Sequence, residues 1–154
     1  MQSLQDIEKA IEAEIALRVK AATVLADSYW EWFRKSCKEA WAAKNSGEDV
    51  KPGKVAPAID KKKSGQGHVY YLKWRMWGGD FTRKNNKSIG RDIGSSNEAD
   101  YTRHLIKACS WELNKALELE GRLIPIRAEI SALREAIVRI RAGQRKISKL
   151  TTKE

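Results

Sequence analysis

Residues 4–41 carry an apolar or aromatic side chain at every third or fourth position, and neither glycine nor proline interrupts them. The stripe runs from Leu4 through Ile15 and Phe33 to Trp41. Steps of three and four follow one face of an α-helix, so the pattern predicts an amphipathic helix over residues 3–45. At 1.5 Å per residue this helix is about 60 Å long, and it needs a partner to bury its stripe.

A second stripe predicts helices over residues 96–148. Ser95 precedes Glu98 by three residues, the spacing of a capping box, so we expect the helical region to begin there. Gly121 and Pro125 interrupt the pattern, and a proline inside a helix removes one hydrogen bond and clashes with the preceding turn. We therefore expect a kink or break near residues 121–125.

Between the two stripes the residue types change twice. Residues 47–67 are rich in glycine, proline and lysine, which favours a flexible basic linker. Residues 68–93 favour a β region, with strands at 68–77, 81–84 and 87–91 and turns between them. Period-two alternation in the first strand places Leu72 and Trp74 on a core face and Lys73 and Arg75 on the opposite face.

These elements predict an α+β fold that is mainly α. We expect a long antiparallel helical hairpin with a small antiparallel β hairpin or three-stranded sheet inserted between the helices, all in a single domain over residues 1–154. A second copy of the chain is the alternative partner for either stripe, so a homodimer stays open.

The net charge of +10 is concentrated in the middle of the chain. Residues 51–91 hold eleven basic and two acidic side chains. Such an excess attracts a polyanion, either nucleic acid or an acidic membrane surface. We expect a cytoplasmic protein outside the membrane, because no stretch approaches the roughly 20 apolar residues that span a bilayer and the first residues do not resemble a signal peptide.

Signatures of catalysis are missing from the sequence. It has no phosphate-binding loop of the G-x-x-x-x-G-K-S/T type, no nucleophile elbow and no H-E-x-x-H motif. Cys37 and Cys109 form no C-x-x-C pair, and the widely spaced His68 and His104 do not resemble the two-histidine metal site of a relaxase. We expect no catalytic residues, no metal and no cofactor.

The candidate DNA-binding residues come from charge and strand alternation. Lysine and arginine neutralise phosphates, aromatic rings stack on bases, and a two-stranded ribbon can enter the major groove of duplex DNA. The candidates are Lys61, Lys62, Lys63, Tyr71, Lys73, Arg75, Trp77, Arg83, Lys84, Lys87 and Arg91. The last helix is also basic, from Arg134 to Lys149, as a second phosphate-contacting surface or simply as a solvated side.

Three alternatives remain. The candidate residues can form an ordinary solvated sheet face whose aromatic rings pack on the helices. The stripes can dock another protein, with the basic insert incidental. Finally, Tyr71 and Trp77 can stack on the bases of RNA or single-stranded DNA.

Four short segments resemble the MobI-type auxiliary proteins of conjugative plasmids and integrative conjugative elements. They are Tyr29–Phe33, Tyr71–Arg75, Ser88–Arg91 and Ala108–Glu112, and the resemblance covers residues 25–125 in outline. It implies an accessory factor that recognises the origin of transfer in double-stranded DNA and helps the relaxase to start DNA processing without cutting DNA itself.

Overall fold

The computed structural model describes residues 3–51, 53–65, 67–77 and 90–152. Along the chain these residues form α1 (Leu4–Asn45), β1 (Val55–Ser64), β2 (Gly67–Met76), β3 (Arg91–Asp92), α2 (Thr102–Leu105) and α3 (Ser110–Thr151). The fold is mainly helical with a small antiparallel sheet, which confirms the predicted class.

The two long helices pack against each other as an antiparallel hairpin. Arg18 of α1 donates to Glu129 of α3 over 2.7 Å, and Arg141 near the end of α3 donates to Glu8 near the start of α1 over 2.6 Å. Along this helix pair the apolar stripes of both helices meet in the core, which includes Ile15, Ala22, Leu123, Ile130 and Ile137. Each stripe therefore finds its partner within the chain, as predicted.

The sheet has the strand order β1-β2-β3, and both pairings are antiparallel. In the β1–β2 hairpin Val55 lies opposite Met76 and Ser64 lies opposite Gly67, so the connecting loop has two residues. Gly65 in that loop adopts a φ of 59°. Glycine reaches this left-handed conformation without the steric cost of a side chain, and tight hairpin loops require it.

The prediction of a flexible linker over residues 47–67 is wrong for its second half, where β1 lies. The strand escapes a sequence analysis because only its first residues are buried and its last four are exposed. Its regularity comes from backbone hydrogen bonds to β2, which composition does not reveal. The strand predicted at residues 68–77 is confirmed as β2, one residue earlier at each end.

The start predicted for the second helical region is also wrong. Ser95 does not cap a helix: its hydroxyl accepts from the backbone N–H of Asn97 in a turn, and Glu98 binds Arg103 and His104 instead. After the short α2, helix α3 begins at Ser110. There Glu112 performs the role expected of Glu98, since its carboxylate accepts from the N–H of Cys109, the residue before the helix, over 3.1 Å.

The break predicted near residues 121–125 does not occur, because α3 continues through Pro125. A proline clashes with the carbonyl four residues earlier, and that residue is Gly121, which has open space around it. Both residues are exposed, so the carbonyl that loses its partner faces water. Leu123 and Ile130 are buried on the opposite side and hold the helix to the core before and after the proline.

The strand predicted at 81–84 and residues 87–89 of the strand predicted at 87–91 lie outside the described residues. Gly90 is described but belongs to no strand, and Arg91 begins β3. The organisation of residues 1–154 as a single domain stays a prediction. The described elements nevertheless contribute to one apolar core, with residues from both long helices, β1, β2 and the segment around Tyr101.

Candidate nucleic-acid interface

Aromatic side chains of α1 hold β1 in place. The Tyr29 hydroxyl donates to the carbonyl of Val55 over 3.0 Å, and the Trp30 indole N–H donates to the carbonyl of Pro57 over 2.9 Å. Both rings also pack in an aromatic cluster with Phe33. These residues belong to one of the segments that carry the family resemblance, and their structural role is to position the β hairpin on the helices.

A buried carboxylate of α3 holds the start of β1. Glu112 at the start of α3 has no exposed surface and accepts from the backbone N–H groups of Lys54, Val55 and Cys109 at 2.9–3.2 Å. Burial raises its pKa, although the hydrogen bonds to the ionised form act in the opposite direction. The side chain thus joins the first residue of the sheet to the first turn of α3.

A second buried carboxylate joins β2 to α3. Glu120 accepts two hydrogen bonds from Arg127 at 2.7 and 2.9 Å, one from the Trp74 indole at 3.0 Å and one from the backbone N–H of Tyr101 at 2.8 Å. Arg127 also donates to the carbonyl of Leu72 over 2.6 Å. No sequence signal marks this network, because its members are far apart along the chain.

The two cations in the middle of β2 are paired within the sheet. Lys73 is buried and forms ion pairs with Asp60 of β1 and Asp92 of β3, the latter over 2.7 Å. Arg75 reaches the same two carboxylates at 3.8 and 3.2 Å. Burial opposes the charge on Lys73, but the two aspartates outweigh it and raise the pKa of the ammonium group. Two cations and two anions cancel, so this part of the sheet adds no net charge.

Trp77, predicted on the same outward face, packs against α1. Its ring meets the Trp30 ring edge to face at a centroid distance of 5.5 Å, and it lies so close to Gly90 that a side chain would not fit there. Half-buried in this way, Trp77 has little ring surface to offer a base.

The three lysines of β1 are placed differently. Lys61, Lys62 and Lys63 are all exposed near the end of the β1–β2 hairpin. Adjacent residues of a strand point to opposite sides, so Lys62 lies on one face of this two-stranded ribbon and the other two lie on its reverse. None of the ion pairs among the described residues involves them. The ribbon therefore presents available positive charge on both faces.

Two tyrosines of β2 lie beside these lysines. The ammonium group of Lys61 is 5.9 Å from the ring centre of Tyr70, and that of Lys62 is 5.3 Å from the ring centre of Tyr71. The guanidinium of Arg134 on α3 approaches the Tyr71 ring as well, at 5.9 Å. We call Lys61, Lys62, Lys63, Tyr70, Tyr71 and Arg134 the hairpin-end surface.

The structure thus divides the predicted DNA-binding residues into three groups. Lys61–Lys63 and Tyr71 come together on the hairpin-end surface, joined by Tyr70 and Arg134, which the candidate set omitted. Lys73, Arg75 and Trp77 lie elsewhere in the sheet and have partners within the protein. Arg83, Lys84 and Lys87 lie outside the described residues, and Arg91 is exposed in β3 opposite Met76.

Arg141 shows that a positive charge on α3 does not by itself predict which side chain is available to a polyanion. Its guanidinium lies near Gly67 at the hairpin loop, yet it is paired with Glu8 and Glu12 of α1 at 2.6 and 3.6 Å. Arg134, which contacts Tyr71, has no such ion pair among the described residues. Both arginines lie near the hairpin, so the ion pairs of Arg141 are what distinguishes them.

Fold and site together define a basic helical-hairpin protein that presents a cationic, tyrosine-bearing β ribbon. The model of the family described as MobI protein matches residues 18–141, which is most of the chain. The chain belongs to this family, so it is a protein of conjugative mobilisation, and the resemblance seen in its short segments is confirmed. Neither a curated protein nor a solved structure matches it.

Two kinds of feature are absent from the described residues. No helix in the described parts of the chain combines the length and apolar character needed to cross a membrane. Over the same residues, no group of three or more histidine, cysteine, aspartate or glutamate side chains is placed to hold a metal ion.

Proposed function

We propose that this protein is a cytoplasmic DNA-binding accessory factor without catalytic activity, which recognises the origin of transfer and assists the relaxase in starting conjugative DNA transfer. The observation that carries the proposal is the exposure of Lys61, Lys62 and Lys63 on both faces of a narrow ribbon. A two-stranded ribbon fits the major groove of duplex DNA, where lysines reach phosphates on either side. Membership of a mobilisation family supports this choice of polyanion.

The contact surface differs from a uniform basic sheet face. Lys73 and Arg75 are engaged by Asp60 and Asp92, so their part in this proposal is to stiffen the ribbon rather than to bind phosphate. Lys61–Lys63 make the phosphate contacts, together with Arg134 and Arg139 on the neighbouring face of α3. Five such contacts give a slope of about −4.5 when the logarithm of the affinity is plotted against the logarithm of the salt concentration.

The protein-docking alternative has less support. The central parts of the apolar stripes of α1 and α3 are buried against each other within the chain, so those parts are not available to a partner. Near the helix ends, apolar side chains such as those of Ile7, Trp41 and Leu150 are exposed. A homodimer and a complex with the relaxase stay open as further proposals, for which other surfaces would be needed.

The test compares two triple variants by fluorescence anisotropy with labelled origin-of-transfer duplex. Changing Lys61, Lys62 and Lys63 to Gln is expected to reduce the salt slope by about 2.7, since each phosphate contact contributes about 0.9. The matched control changes three exposed lysines of α1 to Gln: Lys20, Lys35 and Lys38. It has the same net charge but leaves the ribbon intact.

The control distinguishes DNA contacts made by the ribbon from attraction by the overall net charge of the protein. Equal losses in the two triple variants would show that net charge, and not the ribbon, drives binding, and would overturn the proposed surface. A scrambled duplex provides the second comparison. Equal and weak affinity of the unchanged protein for the origin and the scrambled sequence would contradict specific recognition.

A further inference from the structure

A groove lies between β2 and α3, directly beside the hairpin-end surface. Its volume is about 830 Å³, and it is open to solvent on one side. Tyr70, Tyr71 and Leu72 of β2 form one wall, the turn at residues 96–99 closes one end, and residues 124–139 of α3 provide the other wall. This volume is within the range of sites for small organic ligands.

The aromatic wall and the cations are arranged as a nucleotide requires. Lys62 and Arg134 flank the ring of Tyr71 at 5.3 and 5.9 Å, and Arg139 also lines the groove. A base that stacks on Tyr71 would bring its phosphates close to these cations. Stacking on aromatic side chains combined with a cationic path for the backbone is the usual mode of binding for single strands.

The remaining lining groups suit the edge of a base. Ser96, Asn97 and Ser131 offer hydroxyl and amide groups that both donate and accept hydrogen bonds. Of the two carboxylates in the lining, Glu98 is already held by Arg103 and His104, which lower its pKa together with the turn at Ser95. Glu135 is exposed on α3 and is outnumbered by the cations that line this groove.

We propose that this groove binds roughly one or two unpaired nucleotides of DNA adjoining the duplex that the lysine ribbon holds. The inference rests on the proposed function and narrows its substrate to duplex DNA with a single-stranded extension. Bases inside a duplex expose only their edges, so a base must leave the stack before its face can meet a tyrosine ring. The ribbon and the groove therefore recognise different parts of one DNA molecule.

The test uses two labelled DNAs with the same duplex, one blunt and one with a thymine tail of about four nucleotides. The unchanged protein is expected to bind the tailed DNA at least about fivefold more tightly. Ala128 lines the groove and is exposed, so Ala128→Trp fills the groove without disturbing the core. The matched control is Ala21→Trp, on an exposed position of α1.

Ala128→Trp should abolish the advantage of the tail and leave binding of blunt duplex unchanged, whereas Ala21→Trp should keep both. If Ala128→Trp fails to fold, as judged by circular dichroism, Ser131→Trp blocks the same groove from another exposed position. A 2-aminopurine in the tail provides an independent signal, since its fluorescence should fall only where the groove is open.

Three results would overturn the inference while leaving the proposed function intact. The first is equal binding of blunt and tailed DNA by the unchanged protein, and the second is a tail advantage that survives both Ala128→Trp and Ser131→Trp. The third is displacement of the tail by an acidic peptide as efficiently as by oligothymidine. Failure of the proposed function is a different result: either the unchanged protein does not bind blunt duplex, or its binding of blunt duplex does not depend on Lys61–Lys63.

Discussion

The buried carboxylate of Glu120 provides the sharpest test of how α3 is joined to the sheet. The change is Glu120→Gln, which keeps the size of the side chain but removes its charge and converts one acceptor oxygen to an NH₂ donor. All four groups that contact this carboxylate are donors, from Trp74, Tyr101 and twice from Arg127. The new NH₂ group therefore faces other donors and cannot accept their hydrogen bonds.

The size of the effect follows from burial. Glu120 has no exposed side-chain surface and the side chain of Arg127 is only 10% exposed, so the arginine would be left without a counter-charge away from water. Breaking one partner of a buried pair costs about 3–5 kcal/mol. That is a large share of a total stability of about 5–15 kcal/mol, so we expect Glu120→Gln to unfold at a markedly lower urea concentration than the unchanged protein.

Urea unfolding followed by circular dichroism measures the loss. The matched control is Glu118→Gln, an exposed position on the same helix, for which a change within about 0.5 kcal/mol is expected. A stability for Glu120→Gln within about 1 kcal/mol of the unchanged protein would refute the reasoning, because it would mean that Arg127 is effectively solvated or that the ion pair contributes little.

Two further predictions concern stability. Asp92→Asn tests the ion pairs of the sheet. Lys73 lowers the pKa of Asp92 below its ordinary value of 3.8. The contribution of this carboxylate to the free energy of unfolding is therefore complete above pH 3.8 and is lost as the pH falls through the lower pKa of the folded protein. The difference in urea stability between the unchanged protein and Asp92→Asn should therefore shrink from about pH 6 to about pH 2, and a difference that grows on acidification would contradict the ion pair. Gly143→Ala tests the continuity of α3. Nothing lies within 4 Å of the added methyl group, so the melting temperature should rise, by an amount that corresponds to about 0.5–1 kcal/mol of stability. A fall in the melting temperature would show that this turn is not helical.

The local features of this fold could be predicted from the sequence, whereas the non-local ones could not. The helical stripes and the aromatic β2 could be recognised because periodicity and residue type act within a few residues. β1 could not, because lysine-rich residues with a proline adopt strand geometry only when a neighbouring strand supplies hydrogen bonds. The loop Ser64-Gly65-Gln66-Gly67 was the available hairpin signal, with glycine at a position that needs positive φ.

The candidate site divides in the same way. Lys62 lies between two lysines and Lys73 between Leu72 and Trp74, but these neighbours do not reveal which of the two lysines is paired with carboxylates. Lys73 is buried because Asp60 and Asp92 lie on the strands at either side of it, whereas Lys62 lies beyond the reach of these carboxylates near the hairpin end. Strand register decides which cation is neutralised, and register depends on pairing between distant segments.

By itself, then, the sequence determined two long amphipathic helices, an aromatic strand between them and an excess of positive charge in the middle of the chain. Only the tertiary structure decided that α3 runs through Pro125, that Glu112 and not Glu98 marks its beginning, and which lysines remain available to a polyanion. The physical reason is the distance along the chain over which each interaction acts. Hydrophobic periodicity is set by neighbouring residues, whereas whether a charged group is paired or exposed depends on the groups that folding brings within a few ångströms of it.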